Sequence, residues 1–115
     1  MSVKILHNPR CSKSRQTLEI IREKGIEPMV VEYLKTPPSR EELVDILTKL
    51  SMSPRDLMRK GEADYKDNNL ADESLTDDQL IDAMLEFPKL IERPIVISDG
   101  QVRIGRPPES VSEIL

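Results

Sequence analysis

The predicted elements place this chain in the α/β class, with a strand–helix–strand opening, two strands and a helix at the end, and helical signals between. Three observations carry that expectation. Short apolar or β-branched runs stand at Val3–His7, Met29–Tyr33 and Pro94–Ser98. Helix-start and helix-stop residues punctuate the stretches between them. An Asp99-Gly100 pair separates the last two apolar runs, the strongest short-range hairpin signal. At 115 residues the chain is expected to be a single domain, 1–115, with a helical insertion at about 39–91.

In chain order, "VKILH" ends at Asn8-Pro9 and reads as a buried strand. A helix follows from about Cys11 to Lys24, with Leu18 and Ile21 on its buried side and Gly25 as its stop. "MVVEY" makes the second strand, and two strands joined through a helix should be parallel with a right-handed crossover. Ser39 with Glu42 three residues later has capping-box spacing, and Leu43, Ile46, Leu47 and Leu50 line one face of the helix it starts. Ser53-Pro54 opens another helical turn. Glu62 to Leu70 is polar and carries no clear signal. Thr76 with Gln79 caps "DDQLIDAMLEF", which stops before Pro88. Pro94 opens "PIVIS", the hairpin leads into "QVRI", and Gly105 with Pro107-Pro108 breaks that strand and starts a terminal helix to Leu115.

Composition narrows the function classes. The net charge of −4 argues against a nucleic-acid or anionic-membrane surface, and two Tyr with one Phe are too few for base-stacking platforms. No apolar run reaches the ~20 residues of a membrane span, and "MSVKILHNP" lacks the features of a signal peptide. One Cys and one His fall short of a metal site. A lone cysteine makes no internal disulfide, so the expected compartment is the reducing cytoplasm.

That cysteine and histidine share one stretch, "HNPRCSKSR". Cys11 stands at a predicted helix N-terminus, where unpaired backbone N–H groups and the helix dipole favour an anion. Arg10, Lys13 and Arg15 add positive charge within four residues. Thiolate is the nucleophilic form, and each of these influences favours it. A buried structural cysteine is the alternative. Ser14 completes a Cys-x-x-Ser spacing, which alone is weak, since a serine there also suits a helix N-terminus.

A βαβ unit followed by ββα, with a cysteine at the first helix N-terminus, has the order of the thioredoxin fold. Arg93-Pro94 stands where that fold places a cis-proline, although the sequence does not reveal the isomer. The segments "HNPRCSKSRQTLEIIREKGIEP", "YLKTPPSREELVDIL", "LMRK", "TDDQLIDAML" and "ERPIVI" with "GRPPE" together resemble the ArsC family of glutaredoxin-linked arsenate reductases, in order and over nearly the whole chain.

The resemblance implies a thioredoxin-like fold and one essential nucleophile, Cys11. It implies three oxyanion-binding arginines, Arg59, Arg93 and Arg106, converging on that cysteine; spacing alone does not select them from the nine arginines present. Arginine suits the task because its planar fork makes paired, charge-assisted hydrogen bonds to oxyanions. His7 takes a supporting role in ionising the thiol, although a histidine at a strand end is more often a core or hydrogen-bonding residue. Asn8 and Ser14 join the expected substrate-binding set.

The implied reaction is attack by the Cys11 thiolate on arsenate, followed by glutathione as co-substrate and glutaredoxin as partner, with no bound cofactor or metal. Partner thiols then stand in for a resolving cysteine. Arg10 and Lys13 supply charge of the kind that recruits a glutathione carboxylate. Two other readings stay open: a thiol oxidoreductase acting on another oxyanion or a glutathione mixed disulfide, and a regulator of the Spx type that binds RNA polymerase without turnover. The latter typically carry Cys-x-x-Cys, whereas Ser14 fills the second position here.

Overall fold

The computed structural model describes residues 2–115, which fall into two compact units, one made of the segments before Pro37 and after Glu92, the other of Pro37–Glu92. The first holds a four-stranded sheet. Its strands are β1 (Val3–His7), β2 (Met29–Glu32), β3 (Ile95–Ser98) and β4 (Gln101–Ile104), in the order β2-β1-β3-β4. β1 runs parallel to β2 and antiparallel to β3, and β3 pairs antiparallel with β4. A helix, α1 (Ser12–Glu23), connects the parallel pair. Chain order and pairing together are those of the thioredoxin-like fold.

β1 is central and buried along most of its length, as an apolar run predicts. β2 is an edge strand, and Met29 (65 %) and Val30 (38 %) stay exposed although both are apolar. It ends one residue earlier than expected, leaving Tyr33 buried just beyond it. Val3 and Ile5, two apart on β1, join Ile21, Val96, Val111 and Ile114 in one apolar cluster. Each such side chain taken fully out of water contributes about 1.5–3 kcal/mol. Asp99 (φ 47°) and Gly100 (φ 83°) both lie in the left-handed region, as a two-residue hairpin of matching twist requires.

The buried face of α1 is Ser14, Thr17 and Ile21, while Leu18, expected on that face, is half-buried at the margin of the cluster. Small polar residues therefore occupy the helix's first turns against the sheet. Gly25 (φ 78°) stops the helix, its N–H bonding to the Arg22 carbonyl at 2.9 Å. The expected terminal helix is a 3-10 helix, Pro108–Ile114. Three residues per turn puts Pro108, Val111 and Ile114 on one face, and all three are buried.

The unit Pro37–Glu92 contains α2 (Arg40–Leu50), α3 (Pro54–Leu57), α4 (Ala63–Asp67), α5 (Asp77–Glu86) and a 3-10 turn, Pro88–Leu90. Ser39 caps α2 by accepting the Glu42 N–H at 3.1 Å, and Leu43, Ile46 and Leu47 are buried as periodicity predicts. Thr76 and Gln79 form a reciprocal capping box on α5, with bonds of 3.2 and 2.8 Å. Arg40 bridges α2 to α5 through Asp78 at 2.8 Å and Asp82.

α4 lies in the stretch that carried no sequence signal. Its five residues bury nothing fully, but Arg55 reaches across to the Tyr65 hydroxyl (3.0 Å), the Leu70 carbonyl (2.7 Å) and the Asp72 carbonyl (2.9 Å). A cation ten or more residues away thus satisfies polar groups that local propensity leaves open.

Candidate active site

Cys11 occupies the N-cap position of α1 in extended backbone conformation, and its own N–H closes a turn onto the Asn8 carbonyl at 3.0 Å. Asn8 shapes this loop rather than offering its acceptor outward: its Oδ1 receives the Arg10 N–H at 3.0 Å. The Asn8 N–H donates to Ser14 Oγ at 3.0 Å, and the same hydroxyl meets His7 Nδ1 at 2.7 Å. Ser14 is fully buried, so a helix residue, a loop residue and a strand-end histidine share one desolvated hydroxyl near the start of α1. Ser14 and Asn8, expected to bind substrate, are hydrogen-bonded within the loop that leads to Cys11.

The thiol is set below its ordinary range by a balance. Burial pushes it up; against that act the Ser14 backbone N–H, the Arg93 charge, the Lys13 backbone N–H and the Arg106 charge, and the sum lowers it. Arg106 Nη2 lies 3.7 Å from Cys11 Sγ, while its Nε donates to the Arg93 carbonyl at 2.8 Å. Arg93 and Arg106 each precede a cis-proline, Pro94 and Pro107. The structure thus answers the isomer question at Pro94 and adds a second cis bond.

The charges set against the thiol come from residues distant in sequence. Arg10, Lys13 and Arg15 are exposed, and Arg15 turns its Nη1 back to the Pro9 carbonyl at 2.9 Å. Helix geometry sends side chains at neighbouring positions in different directions, whereas the loops after β4 and before β3 deliver theirs to the helix N-terminus. Only the backbone N–H groups of Lys13 and Ser14, and not the nearby side-chain charges, contribute from α1 itself.

His7 is pushed below the usual imidazole value of 6.5, first by burial, with Arg22 and Arg15 adding to it and Glu32, its register partner on β2, opposing. It is therefore mainly neutral near pH 7, with its Nδ1 on the Ser14 hydroxyl. Arg59 belongs to the other unit. Its N–H donates to the Leu90 carbonyl at 2.7 Å beside the Met58–Ile91 bridge, and its side chain pairs with Glu62 and, at 3.9 Å, with Glu92.

One positioning residue escaped the sequence reading. Gly105 looked like a strand breaker, but its role is close approach: a Cβ there would sit 2.5 Å from Thr17 Oγ1 and 2.7 Å from Pro94 Cγ. Its N–H bonds to the Pro94 carbonyl at 2.9 Å, so the backbone leading into Arg106 lies flush on α1 and the cis-proline. Glycine before arginine was the available signal. Among the described residues no cluster of His, Cys, Asp and Glu is placed to hold a metal, and no helix is long and apolar enough to cross a membrane.

A lowered thiol at a helix N-terminus with two arginines brought from distant loops can attack an electrophilic, anionic centre and hold its oxygens. The model of the ArsC family matches residues 6–114. The chain belongs to the ArsC family. Among its relatives is an uncharacterized protein of Escherichia coli K12, YfgD, 58 % identical over 114 residues that span 98 % of this chain and 96 % of YfgD. The arsenate reductase of the same strain is 48 % identical over 114 residues, which cover 99 % of this chain and 81 % of that enzyme. The solved structure of an arsenate reductase from Vibrio cholerae superposes with a TM-score of 0.96 at 55 % identity, over 100 % of this chain and 98 % of that one.

Proposed function

We propose that this ArsC protein is an arsenate reductase of the glutathione- and glutaredoxin-dependent type, working in the cytoplasm as one catalytic domain. The observation that carries the reading is the Cys11 thiol, lowered at the N-terminus of α1 with Arg106 Nη2 3.7 Å from its sulfur. The thiolate attacks arsenic, an As–O bond breaks, and the oxygen leaves as water after taking up protons, giving a Cys11–S–As(V) adduct. Arg93 and Arg106 hold the remaining oxygens, and Arg59 is assigned to the same task on the family pattern alone. Ser14 and His7 are positioning residues that keep the Asn8–Cys11 turn in register.

Reduction of As(V) to As(III) takes two electrons. Two thiols supply them, one from glutathione and one from glutaredoxin; they end as a mixed disulfide while arsenite and the Cys11 thiolate are released. No resolving cysteine is needed in the chain. The test is arsenate-dependent NADPH oxidation with glutathione, glutathione reductase and glutaredoxin present. Cys11→Ser should abolish it, and equal rates for the two proteins would remove Cys11 from the mechanism.

A further inference from the structure

Beside the nucleophile the first unit carries a cleft of about 210 Å³, lined by His7, Asn8, Arg10, Glu32, Leu34 and Lys35 together with Pro9. One wall, Asn8 to Arg10, belongs to the turn that ends at Cys11, which itself does not line the cleft. The opposite wall comes from the end of β2 and the residues after it. Arg10 is exposed, and no ion pair or hydrogen bond of its guanidinium is found among the described residues. Lys35 and Glu32 face each other at 3.7 Å with side chains 80 % and 45 % exposed, a pair worth little in water and readily exchanged for other partners. Leu34 adds exposed apolar surface between them.

The cleft therefore offers two cations, one carboxylate and an apolar patch. We propose that it seats the thiol co-substrate, a small peptide thiol with two carboxylates and one ammonium, of which glutathione is the example. Arg10 and Lys35 take the carboxylates, Glu32 takes the ammonium, and the thiol is presented to the Cys11 side of the Asn8–Cys11 turn. This assignment rests on the thiol chemistry proposed for Cys11 but not on arsenate being the substrate.

Thiol–disulfide exchange tests the cleft without arsenate. The Cys11 thiolate attacks one sulfur of glutathione disulfide; the S–S bond breaks, glutathione thiolate leaves, and a Cys11–glutathione disulfide forms. Rates with glutathione disulfide and with the uncharged hydroxyethyl disulfide are compared, the latter reporting the intrinsic reactivity of Cys11. In Arg10→Glu/Lys35→Glu the ratio of the two rates should fall roughly ten-fold, equivalent to about 1.4 kcal/mol, with the hydroxyethyl rate unchanged. Arg10→Glu alone should lower the ratio, whereas Lys24→Glu, an equal change of net charge at the far end of α1, should leave it within about two-fold. An unchanged ratio in the double variant overturns the proposal, as does an equal fall with both disulfides or an equal effect of Lys24→Glu. A fallen ratio in a protein inactive on arsenate would support the cleft while refuting the arsenate reading.

Discussion

Replacing Arg106 by alanine removes the guanidinium whose Nη2 lies 3.7 Å from Cys11 Sγ. Unit charges at that separation attract by about 1.1 kcal/mol in bulk water and by about 4.5 kcal/mol at an effective dielectric of about 20. Arg106 is exposed, and among the influences on the thiol it weighs less than the Ser14 N–H and Arg93, so the lower figure applies. About 1.1 kcal/mol is roughly 0.8 of a pKa unit. The thiol should therefore titrate roughly 0.5–1 unit higher in Arg106→Ala, followed by thiolate absorbance or by the pH dependence of alkylation with iodoacetamide. Below the pKa, the thiolate fraction should fall by about three- to ten-fold, and alkylation should slow by less, because the more basic thiolate is more nucleophilic. Arg106→Lys keeps the charge without the planar fork and should recover most of the shift. An unchanged titration in Arg106→Ala, with an unchanged circular dichroism spectrum, would refute the argument that this guanidinium stabilises the thiolate.

Gly105→Ala forces a methyl group against Thr17 and Pro94, and should lower stability by about 1–3 kcal/mol in urea titrations while also raising the Cys11 titration, because Arg106 moves with the backbone. The His7 imidazole is lowered in the fold, so the unfolded chain takes up the proton first. Stability is then undiminished above the usual value of 6.5 and is lost as pH falls through that value toward the lowered one. His7→Gln should flatten the loss seen as pH falls below the usual imidazole value in denaturation curves; an identical pH dependence would contradict the burial argument. Arg55→Ala leaves the Leu70 and Asp72 carbonyls without their donor and should cost about 1–3 kcal/mol, with increased hydrogen exchange confined to residues around α4; uniform exchange would count against a local role.

Elements whose signals are local could be read directly from the chain. β1, the hairpin at Asp99-Gly100, and the caps at Ser39, Ser53 and Thr76 all stand where expected, because turn chemistry and capping act over four residues or fewer. α4 could not be read this way, since its support comes from Arg55 and the side chain of a cation does not announce which carbonyls it will reach. Leu18 shows the limit of apolar periodicity: where α1 packs near the strand end, the buried positions go to Ser14 and Thr17, which fit beside His7 and Gly105. The terminal segment kept its helical sense but took the 3-10 form, which brings Pro108, Val111 and Ile114 onto one face.

The candidate site divides the same way. Cys11 at a helix N-terminus was legible by itself, because the helix start and the residue type lie together in one stretch. The charges that lower its thiol were not. Sequence adjacency pointed to Arg10, Lys13 and Arg15, whereas Arg93 and Arg106, more than eighty residues away, are the ones that act. Family resemblance named those two, but it did not say that the side chains beside the cysteine would stand exposed. What the sequence by itself determined is the place of Cys11 at a helix N-terminus and the order of strands and helices around it, because hydrogen bonding and periodicity along the chain decide these. What only the tertiary structure decided is which cations face the sulfur. That depends on where loops from separate strands end in space, and Coulomb attraction follows distance through space, not separation along the chain.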